Sequence, residues 1–175
     1  MLLRVLSLDI SASSTGWSYV FGANGVRDYG LIKTKPKYST AERLTFFRQE
    51  LEDIVDMYRP SHVVIEDVYS GLNVKTLKLL AKFAGVAEEI CFRKTGAEPY
   101  IISNKTVKAY FKTKNKEDMF HFMVDILDWP KDEVKFKKHN DLTDSIAQLM
   151  CYCDKVLNFR KFRTETDYGY KYDKR

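Results

Sequence analysis

The spacing of apolar residues changes several times along the chain, and each change predicts an element. Leu3 to Ile10 is almost continuously apolar, which predicts a strand buried on both faces. Gly16 to Phe21 alternates like a second strand, Asn24-Gly25 is a hairpin-turn signal, and Val26 to Ile32 reads as a third. The chain thus opens as an antiparallel meander. Ser39 and Glu42 have the spacing of a capping box, and Leu44, Phe47, Leu51, Ile54, Val55 and Tyr58 then fall on one helical face that ends at Arg59-Pro60. His62 to Asp67 is a short β-branched run, the fourth strand.

Beyond a loop at Val68–Asn73, a helix is expected from about Lys75 to Arg93. Its face of Leu77, Leu80, Ala81, Ala84, Gly85, Ala87 and Cys91 is rich in small residues, which suits either close packing on the sheet or contact with a second subunit. Pro99 to Ile102 is a fifth strand, and Ser103 caps a short helix carrying Val107, Tyr110 and Phe111. A helix from about Lys116 to Leu127 turns Met119, Phe122, Met123 and Ile126 inward. The last helix runs to about Leu157 with Ile146, Leu149, Met150, Cys153 and Leu157 as its buried stripe. This predicts one domain over residues 1–158 and a tail over 159–175. The tail alternates aromatic and charged residues without a period, with six Lys/Arg against three Asp/Glu.

Composition narrows the picture modestly. At 175 residues, 45% hydrophobic and 30% charged, the chain reads as a single soluble domain with ample length for a core. A formal net charge of +5 favours a polyanionic partner. The three cysteines, Cys91, Cys151 and Cys153, form no C-x-x-C pair and read as reduced thiols of a cytoplasmic protein. No membrane span or signal-peptide layout is expected. Lys105, Lys108, Lys112, Lys114 and Lys116 crowd one region, interleaved with Tyr110 and Phe111. That is either a solvated face or a surface that contacts phosphates and stacks on bases.

The chemistry lies in the carboxylates. Asp9 sits near the end of a core strand, where ionisation is costly unless a cation meets it. Glu66 and Asp67 end the fourth strand, and alternation forbids both from facing one site. Asp141 and Asp144 are spaced i, i+3 and share one face of a helix's first turn, where macrodipole complementation is the ordinary explanation. Taken together, four such acids suit hard divalent cations such as Mg²⁺ or Mn²⁺, which take oxygen ligands. Two such ions activate a water and stabilise the leaving oxygen of a phosphodiester.

The order of elements is similar to that of an RNase H-like α/β domain, which implies a five-stranded mixed sheet of order 3-2-1-4-5 flanked by helices. The chain resembles, over nearly its whole length, the RuvC family of Holliday-junction resolvases. The similarity lies in Leu8-Asp9-Ile10 with Thr15-Gly16, Gly30-Leu31-Ile32-Lys33-Thr34-Lys35, and Val64-Ile65-Glu66-Asp67-Val68-Tyr69. It continues through Leu77-Lys78-Leu79, Ala84-Gly85-Val86-Ala87 and Asp141-Leu142-Thr143-Asp144-Ser145-Ile146-Ala147. The resemblance implies metal-binding acids at Asp9, Glu66, Asp141 and Asp144, catalytic lysines at Lys108 and Lys116, and a junction-stacking aromatic at Tyr69. It implies Mg²⁺ as cofactor, two ions per site with Mn²⁺ substituting, and four-way or otherwise branched DNA as substrate. The expected DNA-contacting set is Tyr69, Asn73, Lys105, Lys108, Lys112, Lys114, Lys116, Lys137 and Lys138. Two symmetric cuts imply a homodimer, with Ala81, Ala84, Gly85 and Ala87 as its candidate interface.

Two departures stand out: the family's Asp-Pro-Gly is Asp9-Ile10-Ser11 here, and a glycine-rich stretch is replaced by Phe111–Asn115. With the basic tail, these look more like a phage or viral member. The alternatives are an RNase H acting on RNA/DNA hybrids and a non-catalytic junction-binding protein. An actin-like ATPase or sugar kinase shares Asp-x-x-x-x-x-Thr-Gly but needs two lobes, which this length does not supply.

Overall fold

The computed structural model describes residues 2–22, 25–68 and 73–159. The expected Asn-Gly turn at Asn24, the aromatic at Tyr69 and the tail from residue 160 onward lie outside the described residues. The elements follow as β1 (Arg4–Asp9), β2 (Ser14–Phe21), β3 (Val26–Lys33), α1 (Thr40–Tyr58), β4 (His62–Glu66) and α2 (Val74–Thr95). Then come β5 (Tyr100–Ile102), α3 (Asn104–Phe111), α4 (Lys116–Ile126) and α5 (Phe136–Lys155). The sheet order is β3-β2-β1-β4-β5, as expected. The first three strands pair antiparallel, and β4 and β5 join parallel to β1.

Side-chain alternation along the strands splits the core into two layers. Leu6, Leu8, Val63 and Ile65 face α1 and α2, packing with Phe47, Leu51, Phe83, Ala87 and Ile90. Val5 and Val64 face the other way, against Met123, Leu142, Ile146 and Leu149 of α4 and α5. By the same parity, Asp9 and Glu66 belong to the α5 side of the sheet. Asp67 points away and is exposed.

Three expectations need correction. First, α5 begins at Phe136, and its N-cap Lys135 makes no side-chain cap bond. Asp141 and Asp144 are therefore the sixth and ninth helical residues, beyond the first turn where the macrodipole acts, and the macrodipole explanation fails. Every residue from Leu142 to Asp154 is buried, not one stripe, because α5 is packed between the sheet and α3 and α4. Second, α4 turns Met119, Phe120, Met123 and Val124 inward, while Phe122 is 38% exposed. Phe120 packs edge-on against Phe136, in the same core cluster as Met119, Met123 and Val124.

Third, the small-residue face of α2 does not act as one surface. Ala84 and Ala87 are buried within the chain, whereas Ala81 and Gly85 are exposed. The packing partner is α1 as well as the sheet, and Arg48–Glu89, Arg93–Glu52 and Lys94–Asp56 ion pairs link the two helices. The α1 capping box forms as read, with Ser39 and Glu42 each bonding the other's backbone N–H. All three cysteines are free and buried. Among the described residues no helix is long and apolar enough to cross a membrane.

Candidate metal centre

The site forms where β1 and β4 end and α5 crosses them. Three interactions dock α5 there. Gly16, which pairs with Asp9 across β1 and β2, lets the backbone of Asp141 come so close that a Cβ at Gly16 would lie 2.0 Å from the Asp141 carbonyl oxygen. Ser18 Oγ donates to the Ser145 carbonyl at 2.9 Å in the core. One turn beyond Asp144, the buried Gln148 Nε2 donates to the Leu8 and Val64 carbonyls at 3.2 and 3.1 Å, tying α5 to both acid-bearing strands. A long polar side chain inside a helix that is buried all round is explained by those two carbonyls.

Asp9 and Asp144 are each 6% exposed, while Glu66 and Asp141 are half-buried. Burial, reinforced by the neighbouring Glu66, Asp144 and Asp141 carboxylates, pushes the Asp9 carboxyl well above the usual range. Burial likewise raises Glu66 and Asp144, opposed by the charges of Lys116 and Lys108. The four acids therefore feel one another, as their expected grouping requires.

A cation already answers them. Lys116, the first residue of α4, places Nζ 2.8 Å from Asp144 Oδ2. Apart from this ion pair, that buried oxygen has no hydrogen-bond partner. Burial alone would lower the Lys116 pKa, but the charges of Asp9, Asp144 and Glu66 outweigh it and hold the ammonium above its ordinary value. Asn104, the first residue of α3, offers Nδ2 to both Glu66 oxygens at 3.2 and 3.3 Å. Asn140 donates to Asp141 Oδ1 at 2.9 Å. As they stand, no three acidic, histidine or cysteine side chains among the described residues converge tightly enough to ligate one ion. Asp9, Glu66 and Asp144 act on the lysine instead. An oxygen-only donor set with an under-bonded, buried carboxylate oxygen nevertheless fits a hard divalent cation, provided Lys116 withdraws.

The remaining expected residues divide by position. Lys108 is half-buried, and its charge reaches Glu66 and Asp144. Lys105, Lys112, Lys114, Lys137 and Lys138 are exposed, and none of them pairs with the four acids among the described residues. Lys112 is the left-handed C-cap of α3. Asn73 is the N-cap of α2, its side-chain oxygen accepting from Thr76 N at 3.0 Å, so part of its hydrogen-bonding capacity is spent on the helix. Gln148, Asn104 and the close approach at Gly16 were not legible as site features. Only the Ser103 cap, one residue earlier, hinted at where Asn104 would start a helix.

The model for "Crossover junction endodeoxyribonuclease RuvC" matches residues 5–152. A relative of that name from Finegoldia magna is 30% identical over 95 residues, covering 53% of this chain and 58% of the relative's length. One from Ehrlichia canis is 26% identical over 162 residues, covering 90% of this chain and all of the relative. The solved structure "T. thermophilus RuvC in complex with Holliday junction substrate" shares the fold at a TM-score of 0.71 and 15% identity, over 86% of this chain and 93% of that one. With the match running from β1 to the last turn of α5, through all four acids, the chain belongs to the RuvC family of crossover junction endodeoxyribonucleases.

Proposed function

We propose that this chain is a divalent-metal-dependent endonuclease that resolves four-way DNA junctions by paired nicks as a homodimer. The observation that carries the reading is the gathering of Asp9, Glu66 and Asp144, from β1, β4 and α5, around the Lys116 ammonium, with Asp141 close enough to act on Asp9 and Asp144. The Thermus thermophilus relative, with a Holliday junction as its substrate, supports the choice of DNA structure.

Asp9, Glu66, Asp141 and Asp144 would hold the metal, Mg²⁺ in the first instance with Mn²⁺ substituting. Held by these four acids, two such ions would supply an activated water and charge stabilisation at the leaving oxygen of the phosphodiester. Asn104 orients Glu66 by engaging both of its oxygens, and Gln148 holds the two acid-bearing strand ends against α5. Lys116 balances the carboxylates in the metal-free site. Released from Asp144, it adds its charge to that of Lys108 on the side where a phosphate enters. The exposed Lys105, Lys112, Lys114, Lys137 and Lys138 extend this positive surface along the DNA, and Tyr69 stacks near the crossover.

One acid set makes one cut, so two symmetric cuts need two copies about a two-fold axis. An exposed stripe on α2, Val74, Lys78, Ala81, Gly85 and Phe92, is the surface for that contact.

The test is nicking of a labelled four-way junction in Mg²⁺. Asp144→Asn should abolish cutting while junction binding in EDTA is kept or tightened, since the substitution removes a charge that opposes phosphate. Undiminished nicking by Asp144→Asn overturns the assignment. For the dimer, Gly85→Lys introduces a side chain where nothing lies within 4 Å in the single chain. Sedimentation should show loss of the dimer with the fold retained. A parent protein that is monomeric while resolving junctions removes the dimer from the proposal.

A further inference from the structure

At the sheet end where Asp9 lies, on the β3 edge and the α1 side, there is a cavity of about 340 Å³ lined by Lys33, Thr34, Lys35, Tyr38, Glu42, Arg43 and Phe46. Its position relative to the metal centre follows from the strand register. Lys33 ends β3 opposite Ser14, the first residue of β2, and Gly16, two residues on, pairs with Asp9. The Thr34 hydroxyl and the Arg43 guanidinium both donate to the carbonyl of Ala12, three residues beyond Asp9. The wall of the cavity and the loop that follows the first acid are thus one bonded unit.

The lining has unusual chemistry for a structural hollow. Arg43 is 8% exposed, and among the described residues its charge meets dipoles and a ring: the Ala12 carbonyl, the Thr34 hydroxyl at 3.2 Å and the face of Phe83 at 5.8 Å. Among the described residues, none of Lys33, Lys35 and Arg43 is in an ion pair. The one acid in the lining, Glu42, is engaged by the Ser39 backbone in the capping box. Tyr38 and Phe46 are 45% and 42% exposed, although aromatic rings are usually buried. Lys37 adds a further cation over the Tyr38 ring at 5.2 Å. Lys33 and Lys138 both lie close enough to act on the charge of His139, so positive charge continues from this cavity to the start of α5.

Unpaired cations beside exposed aromatic rings are the combination that binds single-stranded nucleic acid, phosphates on the cations and bases on the rings. We propose that the Lys33–Lys35–Arg43 cavity is a subsite for an unpaired nucleotide of the DNA strand, its base on Tyr38 and Phe46 and its phosphate on Lys33 and Lys35. Its volume lies at the lower end of the roughly 300–1,000 Å³ typical of small-molecule pockets, which fits one nucleotide. The proposal deepens the nuclease reading, since it gives the enzyme a grip on the strand opened at a branch.

The experiment is fluorescence anisotropy in EDTA with a dye-labelled twelve-nucleotide oligothymidylate and with a blunt duplex of the same length. The full chain carries Tyr38→Ala and Phe46→Ala together. Both side chains are exposed, so circular dichroism should show an unchanged fold. Single-strand affinity should fall about tenfold or more, with duplex affinity within about twofold of the parent; Tyr38→Phe alone should keep the affinity. Lys35→Ala should weaken oligothymidylate binding and lower its salt slope by about one. Unchanged single-strand binding overturns the subsite. So do equal losses on single strand and duplex, which indicate a backbone contact without a base site, and competition by thymidine monophosphate as strong as by the oligomer. Asp144→Asn, assayed in parallel, separates the two readings: if it still nicks, the nuclease reading fails while the anisotropy result for the subsite stands.

Discussion

Gly16→Ala asks whether the approach of α5 to β2 sets the metal centre. A Cβ at this position would lie 2.0 Å from the Asp141 carbonyl oxygen, 2.6 Å from its carbon and 3.2 Å from Leu142 N. These are backbone atoms, so no rotamer change relieves the contact. Ordinary separation begins near 3.4 Å, and the two backbones must part by more than about 1 Å. Overpacking of this kind costs about 1–3 kcal/mol. At roughly 2–4 °C per kcal/mol for a chain of this size, the melting temperature should fall by about 2–12 °C. The helix that retreats carries Asp141 and Asp144, and a displacement of about 1 Å at a reacting centre lowers the rate by about 100-fold. The assay pairs thermal and urea unfolding of the full chain with junction nicking at saturating protein and Mg²⁺. Gly85→Ala is the control for stability alone, unfolded at concentrations where sedimentation shows a monomer because Gly85 lies in the proposed dimer contact. In the single chain it sits in a helix with nothing within 4 Å of the added methyl, and should gain about 0.5–1 kcal/mol. Glycine in a strand is otherwise worse than alanine by a similar amount. A Gly16→Ala protein as stable as its parent, or more so, would therefore refute the reasoning by its sign alone.

Three further outcomes are expected. Asp9, Glu66 and Asp144 hold protons more tightly folded than unfolded. The metal-free protein should therefore gain stability as pH falls through their raised values toward about 4, with the full penalty present above them. Asp9→Asn should accordingly raise the metal-free melting temperature at pH 8 and flatten its pH dependence. A lower melting temperature in that scan contradicts the carboxylate repulsion. Gln148→Leu leaves the Leu8 and Val64 carbonyls without its amide, which should cost about 1–3 kcal/mol, read as a lower urea midpoint at constant slope. An unchanged midpoint removes the strand-tying role. Tyr69→Ala should lose about 1–3 kcal/mol of junction binding while Tyr69→Phe keeps most of it, and equal affinities for all three proteins eliminate the stacking contact.

Local pattern determined much of this protein. The buried β1 run and the Ser39–Glu42 capping box were legible because alternation, helical period and cap chemistry act over a few residues, whereas the strand order came from the resemblance to an RNase H-like domain. The four candidate acids stood out by position, at strand ends or on one helix face; strand alternation left Glu66 or Asp67, and the resemblance chose Glu66. What sequence spacing could not decide was every choice that depends on a partner from far along the chain. Ala84 and Gly85 are adjacent small residues, yet one is buried and the other exposed, because the position of α1 fixes which face of α2 is covered. The first turns of α5 hold no side-chain cap, so nothing local placed its start at Phe136 and the acids deep within it. Lys116 reaches Asp144, Asn104 reaches Glu66 and Gln148 spans two strands, pairs separated by 28 to 140 positions. Burial makes those contacts necessary, since an acid or a carbonyl taken out of water must find a partner. Only the packing of α3, α4 and α5 on the sheet decided which residue that partner is.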